Sequence, residues 1–574
     1  VIQGKSLSRV QRYDILRGEL SIDRASFTPI WRELGDHILP TRPRFYTSDV
    51  NKGERRNTKI IDSTATSASD ALRAGMMGGV TSPARPWFRL TTPDPGMADF
   101  GPVKEYLHTV TQLMSSVFLR SNIYNVLPLV YGDLGTFATA PFSLVEDFDD
   151  VIRGHSFPVG SYYIAADHRG KVNTFMRDYR MTVRNLVERF GNLDASGRPD
   201  WTNFSTKVRQ LWENGNYNSW IDITWVVQPN ELYSPRKLNS KYKQFASCYF
   251  ETGSSDRSRD SEQLLSEKGF DFFPVLCPRW EVTGEDVYGT NSPGFKSLGD
   301  SKALQLMQKR LGQAVEKFVN PPMRGSVELR NSSPTTLPGE ITWDSTRDGK
   351  GFGPTYQIDP RVNELLLYIQ DHQKRIDGNY YKDMFLRISN SDRRQMTARE
   401  VEEIGSERLI ALGPVLEQLN QDVLDPTVDI TYSRMDRQGL LPPPPEELQG
   451  QKLRVEYISI MHAAQKMIGV SGLERLVGGL IQVAQATGDA RIFSVKLDAN
   501  QWVDEYADAL GVSPKVIRSD EDVQKIMAQQ QEQERAAATV EAVERGAGAA
   551  KNLSQAKLDD DNALSAVLEA GAQQ

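Results

Sequence analysis

A chain of 574 residues, 39% of them hydrophobic, can bury a large core in several domains and needs no covalent staple to stay folded. Its formal net charge of −7 and pI near 5.7 exclude a tight, sequence-independent nucleic-acid binder, because that affinity comes from neutralising phosphates with Lys and Arg; weak or transient DNA contact is left open. Cys248 and Cys277 fit neither a C-x-x-C metal pattern nor a disulfide framework, so they read as inert thiols of a reducing compartment.

In chain order, Ile15, Ile22, Phe27, Ile30, Trp31 and Leu34 give a helical pattern that Leu39-Pro40 and Pro43 end. Residues 62–77, rich in Ala, Ser and Thr with Leu72 and Met76, predict a tightly packed helix closed by Gly78-Gly79. Ser82 to Leu90 reads as an extended aromatic strap, followed by helices over 103–119 and 123–131. From Thr136 to about Val282 the period shifts towards two, with strands expected at 142–146, 161–165, 174–181, 221–227, 245–251 and 272–282 and short helices at 183–189 and 208–214. This mixture makes the fold class α+β.

Leu304, Met307, Leu311, Val315 and Phe318 mark a helix that Pro321-Pro322 stops. Residues 324–359, rich in Gly and Pro, read as a small protruding module with short strands at 326–330 and 340–343. A second helix follows Pro360, with Val362, Leu365, Leu366 and Ile369 as its apolar side, so two helices flank the module as a stalk flanks a tip. A strand is expected at 428–432, a stiff polyproline linker at 442–445, and helices at 453–468, 473–486, 502–510, 520–544 and 564–568.

Recognisable catalytic chemistry is missing. No glycine-lysine pair completes a P-loop, and Gly349-Lys350-Gly351-Phe352-Gly353 follows no buried strand, so it reads as a loop and not a phosphate cradle. Gly289 to Gly294 lacks the G-x-S-x-G spacing of a nucleophile elbow. The six histidines never pair at i,i+4 around a Glu, and the acidic runs Asp147-Asp149-Asp150 and Asp559 to Asp561 read as solvated charge. The chain is therefore read as a non-enzyme with no metal site and no cofactor. No apolar run approaches the ~20 residues of a membrane span, and no apolar signal core opens the sequence, so a soluble protein without a cleaved signal is expected.

The most informative segment is Asn390-Ser391-Asp392-Arg393-Arg394-Gln395-Met396, a polar basic loop running into Thr397-Ala398-Arg399-Glu400-Val401. Thr397 can accept from the Glu400 N–H while the Glu400 carboxylate reaches back, a capping box that fixes the helix start. Behind it Val401, Ile404, Leu412, Val415, Leu416, Leu419 and Val423 recur at helical spacing, and Gly413-Pro414 should kink the helix they define. In a monomer Arg393 and Arg394 serve solubility; repeated around a closed ring, they concentrate charge at its bore.

This order of stalk, tip, stalk, basic loop and capped, kinked helix resembles the portal proteins, or head-to-tail connectors, of short-tailed double-stranded DNA bacteriophages. Local strings carry the same likeness: Thr81-Ser82-Pro83-Ala84-Arg85-Pro86-Trp87-Phe88, Asp286-Val287-Tyr288-Gly289 with Ser292-Pro293-Gly294, Met396 to Val401, Gly439-Leu440-Leu441-Pro442 with Pro444-Pro445, and Val455-Glu456-Tyr457-Ile458-Ser459. The resemblance covers roughly residues 50–530. It implies a portal-protein fold with an α/β wing over 1–299, stem helices over 300–320 and 360–384, a clip over 321–359 and a tunnel loop within 385–397. A long kinked wing helix and strand would follow over 398–450, then crown helices over 451–519 and a helical extension, crown or barrel, over 520–574.

The resemblance further implies a homododecameric ring at the capsid vertex of a virion assembled in the bacterial cytoplasm. That ring conducts double-stranded DNA during packaging and ejection, with major capsid and scaffolding proteins, terminase and then tail adaptor or nozzle proteins as partners and no membrane. Asn390, Ser391, Arg393, Arg394 and Gln395 would face DNA; Arg324, Arg330, Arg347 and Lys350 would meet the motor or adaptor; Thr397 and Glu400 would cap the helix and Gly413 and Pro414 kink it. A mostly acidic duct with few basic points would let DNA slide. Two other readings compete: a virion-associated metal-dependent nuclease or hydrolase, which needs converging carboxylates around a metal, and another internal virion scaffold protein.

Overall fold

The computed structural model describes residues 8–459 apart from 50–52, 95–96, 98–99, 192–198, 253–263, 326, 328–352, 356–361, 391–405, 449 and 451–452, and beyond them only 461, 477–479, 481–482, 501–503, 523, 525–530 and 533. It is an α+β protein. The expected strands at 326–330 and 340–343 and, beyond those short helical pieces, the expected helices after 468 fall outside the described residues.

Helices α1 (Arg9–Ala25) and α2 (Thr28–His37) replace the first helical pattern, with the break at Ser26 and Phe27. A true capping box opens α1: Ser8 Oγ accepts from the Gln11 N–H, and Gln11 Oε1 accepts from the Ser8 N–H at 3.0 Å. Helices α3 (Thr64–Gly79), α4 (Gly101–Arg120) and α5 (Ile123–Phe137) build the middle of the largest core. Glycines in α3 and α5 permit close approach on two sides of α3. A Cβ on Gly75 would lie 2.2 Å from the Phe385 ring, and one on Gly135 of α5 would lie 2.7 Å from Leu72. Helix α5 runs six residues beyond the expected end at Tyr131, and Thr136 and Phe137 are helical, because that last turn is wholly buried.

The β region holds two antiparallel sheets. One has the order β3-β2-β9, from β2 (Phe142–Asp147), β3 (Val151–Ser156) and β9 (Val275–Leu276). The other has the order β4-β5-β6-β7-β8, from β4 (Tyr162–Ala166), β5 (Val172–Thr182), β6 (Trp220–Pro229), β7 (Phe245–Glu251) and β8 (Ser266–Phe270). Strands β3 and β8 were not expected, and the expected strand over 272–282 shrinks to two residues. Helix α1 covers one face of the five-stranded sheet through Val10, Tyr13 and Leu20 against Met176, Val226, Cys248 and Phe250. Helices α6 (Val183–Phe190) and α7 (Thr206–Glu213) pack on a smaller cluster with Ile221 and Ile223. Both cysteines are free and buried. The run Asp147-Asp149-Asp150 forms the β2–β3 turn, where Asp147 Oδ1 accepts from the Asp149 and Asp150 N–H groups.

Helix α8 (Pro293–Val319) spans 27 residues, and β10 (Met323–Arg324) and β11 (Gly353–Pro354) pair antiparallel beyond it. The chain returns in α9 (Val362–Asn379), turns at Tyr381 with φ 55°, and continues in α10 (Lys382–Asn390). Residues 385–390, assigned above to a loop, complete α10 because Met384 and Phe385 are buried and hold the helix down. Helix α11 (Ser406–Leu419) passes through a π-helical turn (Asn420–Leu424) into α12 (Asp425–Arg437). The strand expected at 428–432 is therefore helix. Conversely, the helix expected at 453–468 begins as strand β12 (Arg454–Tyr457), which pairs with β1 (Phe88–Thr91) at the end of the aromatic strap. Among the described residues no helix is long and apolar enough to cross a membrane.

The contact between α3 and α10 sets a test. Gly75→Ala should destabilise the protein by about 1–3 kcal/mol, the usual cost of overpacking, whereas Gly78→Ala, with open space around it, should be neutral or stabilising. Thermal unfolding of both variants checks this.

Candidate functional site

The paired helices α8 and α9, the turn into α10 and the composite helix α11–α12 form the part of the chain that the sequence singles out. At its base, α8 is pressed against the core by atoms too close for any side chain. A Cβ on Gly294 would lie 2.3 Å from the Thr136 carbonyl oxygen, and Ser292 Oγ both donates to that oxygen at 3.1 Å and caps the helix by accepting from the Phe295 N–H. Ser297, Leu298, Ser301, Leu304 and Gln305 continue the buried stripe.

Gln305 is a polar residue in a core position. Its Oε1 accepts from the N–H groups of Ile61 and Asp62 at 2.6 and 2.8 Å, and its Nε2 donates to the Asp62 carbonyl at 2.8 Å. The Asp62 carboxylate in turn accepts from the Thr64 N–H, from Gln308 on α8 at 3.1 Å and from Gln373 on α9 at 3.0 Å. One carboxylate thus gathers α3 and both long helices. Burial opposes its ionisation, but the donors from Thr64, Gln373 and Gln308 outweigh that and hold Asp62 below the usual carboxylate range.

Further contacts fix the antiparallel register of the pair. Asn379 Nδ2 donates to Ser297 Oγ at 3.2 Å, His372 Nδ1 lies 2.8 Å from Asp300 Oδ1, and the Thr355 N–H donates to the Pro322 carbonyl at 2.8 Å near the β10–β11 ladder. Beyond Gln305 only Met307, Gln308, Leu311 and Ala314 of α8 remain half-buried, against Leu365 and Ile369 of α9. Among the residues whose burial is described, the rest of the outer half is exposed, including large apolar residues: Phe318 and Val319 at 61% and 76%, Leu367 and Tyr368 at 66% and 63%.

Helix α12 is tied to the sheets by ion pairs. Arg434 Nη1 lies 2.5 Å from Glu146 Oε2, Arg437 pairs with Asp271, and Asp425 accepts from the Tyr457 hydroxyl. In the π turn, Asp422 faces Arg279 at 3.6 Å and accepts from Gln418 at 2.8 Å, while Arg279 Nη2 donates to the Gly170 carbonyl at 2.8 Å. Burial pushes the Asp422 carboxyl up, against the pull of Arg279.

The structure places Asn390 at the end of α10 and Gly413 and Pro414 inside α11. Arg324 sits exposed in β10. Ser391, Arg393, Arg394, Gln395, Thr397, Glu400, Arg330, Arg347 and Lys350 lie outside the described residues. Asp62, Gln305, Gln308 and Gln373 were missed; the available signal was glutamine inside the apolar spacing of the two helices. No cluster of metal-ligating side chains occurs among the described residues.

A depressed carboxylate stabilises the fold above its unfolded pKa, and that contribution is lost as pH falls through the lower folded value. Asp62→Asn should therefore unfold more easily at neutral pH, by about 1–3 kcal/mol, and lose less further stability than wild type between about pH 5 and about pH 3. Thermal melts across that range provide the measurement; parallel pH profiles would contradict the assignment.

The profile of the bacteriophage head to tail connecting protein family matches residues 11–517. The chain is 45% identical over 553 residues to the portal protein of Salmonella phage epsilon15, an alignment that covers 96% of both chains. It is 38% identical over 554 residues to the probable portal protein of Bordetella phage BPP-1, covering 96% of this chain and 97% of that one. At that identity and coverage, the chain belongs to the family of bacteriophage head-to-tail connecting proteins.

Proposed function

We propose that the protein is a portal subunit: a structural ring component at one capsid vertex that conducts double-stranded DNA during packaging and ejection and joins head to tail. The near full-length identity to two phage portal proteins supports the reading. The observation that carries the ring is the apolar outer half of the α8–α9 pair, which a single chain leaves in water and a neighbouring copy can cover.

In this reading α8 and α9 form the stem and residues 321–359 the clip, where Arg324, Arg330, Arg347 and Lys350 meet terminase during packaging and the tail adaptor afterwards. The segment from Asn390 to Met396 is the tunnel loop, presenting Arg393 and Arg394 to DNA, with Thr397 and Glu400 closing it and α11–α12 as the long wing helix. The β sheets with α1–α7 form most of the wing, and residues after about 450 the crown. Twelve copies are the expected number, with capsid and scaffolding proteins around them in a virion assembled in the host cytoplasm. The role is mechanical: direction comes from a separate ATPase, and no cofactor is invoked.

Negative-stain imaging of the purified protein should show rings with a central hole, and a stable monomer under assembly conditions would overturn the reading. Leu367→Asp with Phe318→Asp should abolish rings while leaving the far-ultraviolet circular dichroism unchanged, since both residues are exposed in the single chain. Arg393→Ala with Arg394→Ala should leave rings intact and reduce DNA packaging or retention; unchanged packaging and retention would remove those arginines from the DNA path.

A further inference from the structure

On the face of the five-stranded sheet opposite α1, Arg177 and the adjacent Arg189 carry positive charge with no carboxylate within 4 Å among the described residues. Arg177 on β5 stands opposite Trp225 on β6, which stands opposite Tyr249 on β7, so the three share one cross-strand row. The Arg177 guanidinium carbon lies 4.6 Å from the Phe157 ring centre and 5.0 Å from that of Tyr179. Its Nε is buried and donates to no acceptor, and the neighbouring Tyr179 hydroxyl is also buried without a hydrogen-bond partner. Arg189, at the end of α6, is exposed, lies 5.2 Å over the Tyr249 ring and donates to the Tyr249 hydroxyl at 3.4 Å. Trp225 and Tyr249 stack at 5.6 Å and 3°, which gives the row a flat, stiff floor.

Aromatic rings offset only part of the cost of this arrangement. A cation over a ring gains less than it costs to withdraw a charged group from water without a paired counter-charge. Arginine cannot escape by losing its proton. The nearby groups make matters worse: burial and the charges of Arg177, Arg153 and Arg189 hold His155 below its ordinary range, and only Arg153 of these has a carboxylate, Asp147, within 4 Å among the described residues. Carboxylates on the same strands serve other partners. Asp178 and Asp222 sit on the opposite face, where they pair with Arg17 and Arg180, and Glu251, on the same face as Arg177, accepts from the Ser205 N–H and hydroxyl.

We propose that Arg177, Arg189 and the Tyr179 hydroxyl form a binding site for a phosphate-class oxyanion. Two guanidinium groups match the charge of one dianion, the phenol supplies a neutral donor, and the exposed Arg189 side gives access from solvent. The site lies on the five-stranded sheet, and nothing in it rests on the conduit role.

Equilibrium dialysis of the full-length protein against radiolabelled inorganic phosphate, at constant ionic strength in chloride, tests it. We expect saturable retention of about one phosphate per chain, with affinity reduced about tenfold or more by Arg189→Gln and by Arg177→Gln. Tyr179→Phe should weaken binding less, and Arg209→Gln, which removes an exposed pair with Glu213, should leave it unchanged. Should Arg177→Gln fail to fold, Arg189→Gln carries the result. Release of the label by a short DNA duplex at low molar excess would identify the phosphate as nucleic-acid backbone, and release only by phosphate and sulfate would identify a free ion. Absence of saturable retention, or retention unaltered by Arg189→Gln, would overturn the proposal.

Discussion

The anchorage of α8 is the constraint on which the rest of the molecule depends. A helix of 27 residues is about 40 Å long, and only its first half has a core to lie on. A lever of that kind keeps its direction only if its root cannot rotate. Apolar packing alone would let it slide, because one methyl group fits almost as well as the next. The root therefore combines two devices of higher specificity: direct backbone contact at Gly294 against Thr136, and the hydrogen bonds between the Gln305 amide and the backbone of residues 61 and 62. Asp62 then fixes the returning helix through Gln373, so α8 and α9 take their register from one carboxylate rather than from each other alone.

The second long element solves a different problem. Helix α11–α12 must cross from the end of the segment after α10 to the β1–β12 pair, yet it contains Asp425-Pro426, which normally ends a helix. Pro426 has no N–H to give and its ring crowds the carbonyl four residues earlier. The chain meets this by widening just before it: the Asp425 N–H bonds to the Asn420 carbonyl, the i to i−5 bond of a π turn. Widening the turn also rotates the helix, so that Asp422 points at the buried Arg279 while Asp425 reaches Tyr457 on the far side.

That same proline explains where the sequence was legible and where it was not. Val428, Ile430 and Tyr432 alternate after an Asp-Pro, which is a fair signature of a strand; what decides for helix is the i to i−4 bond of Thr431 to Thr427 and the pull of Arg434 and Arg437 on Glu146 and Asp271, all long-range or side-chain facts. The error at 453–468 is of the same kind, because Arg454 to Tyr457 is a strand only by virtue of Phe88 to Thr91, more than 360 positions earlier, with Arg89 and Glu456 in the matching ion pair. Local signals did place several other elements. The period of two located most of the five-stranded sheet, Pro321-Pro322 ended α8, and the small residues of 62–77 marked the close-packed α3. For the candidate site, apolar spacing found both long helices but passed over Gln305, since a glutamine in an apolar stripe looks like the stripe's edge until its partners at 61 and 62 are known.

The outer half of the α8–α9 pair is the part of the chain that would gain from assembly. Two antiparallel helices touching along one stripe bury little: Leu311 and Leu365 are shielded on one side only, and Phe318, Leu367 and Tyr368 stay in water. In isolation this would be a two-helix hairpin without a third layer, a poor independent unit, because helical stability in proteins comes from packing more than from propensity. Side-by-side copies would supply the missing layer, each pair covering the apolar flank of the next, and cooperative stiffening would follow from closure rather than from any new contact within the chain. The anchored root is what makes that possible, since flanks can match around a circle only if every lever leaves the core at the same angle.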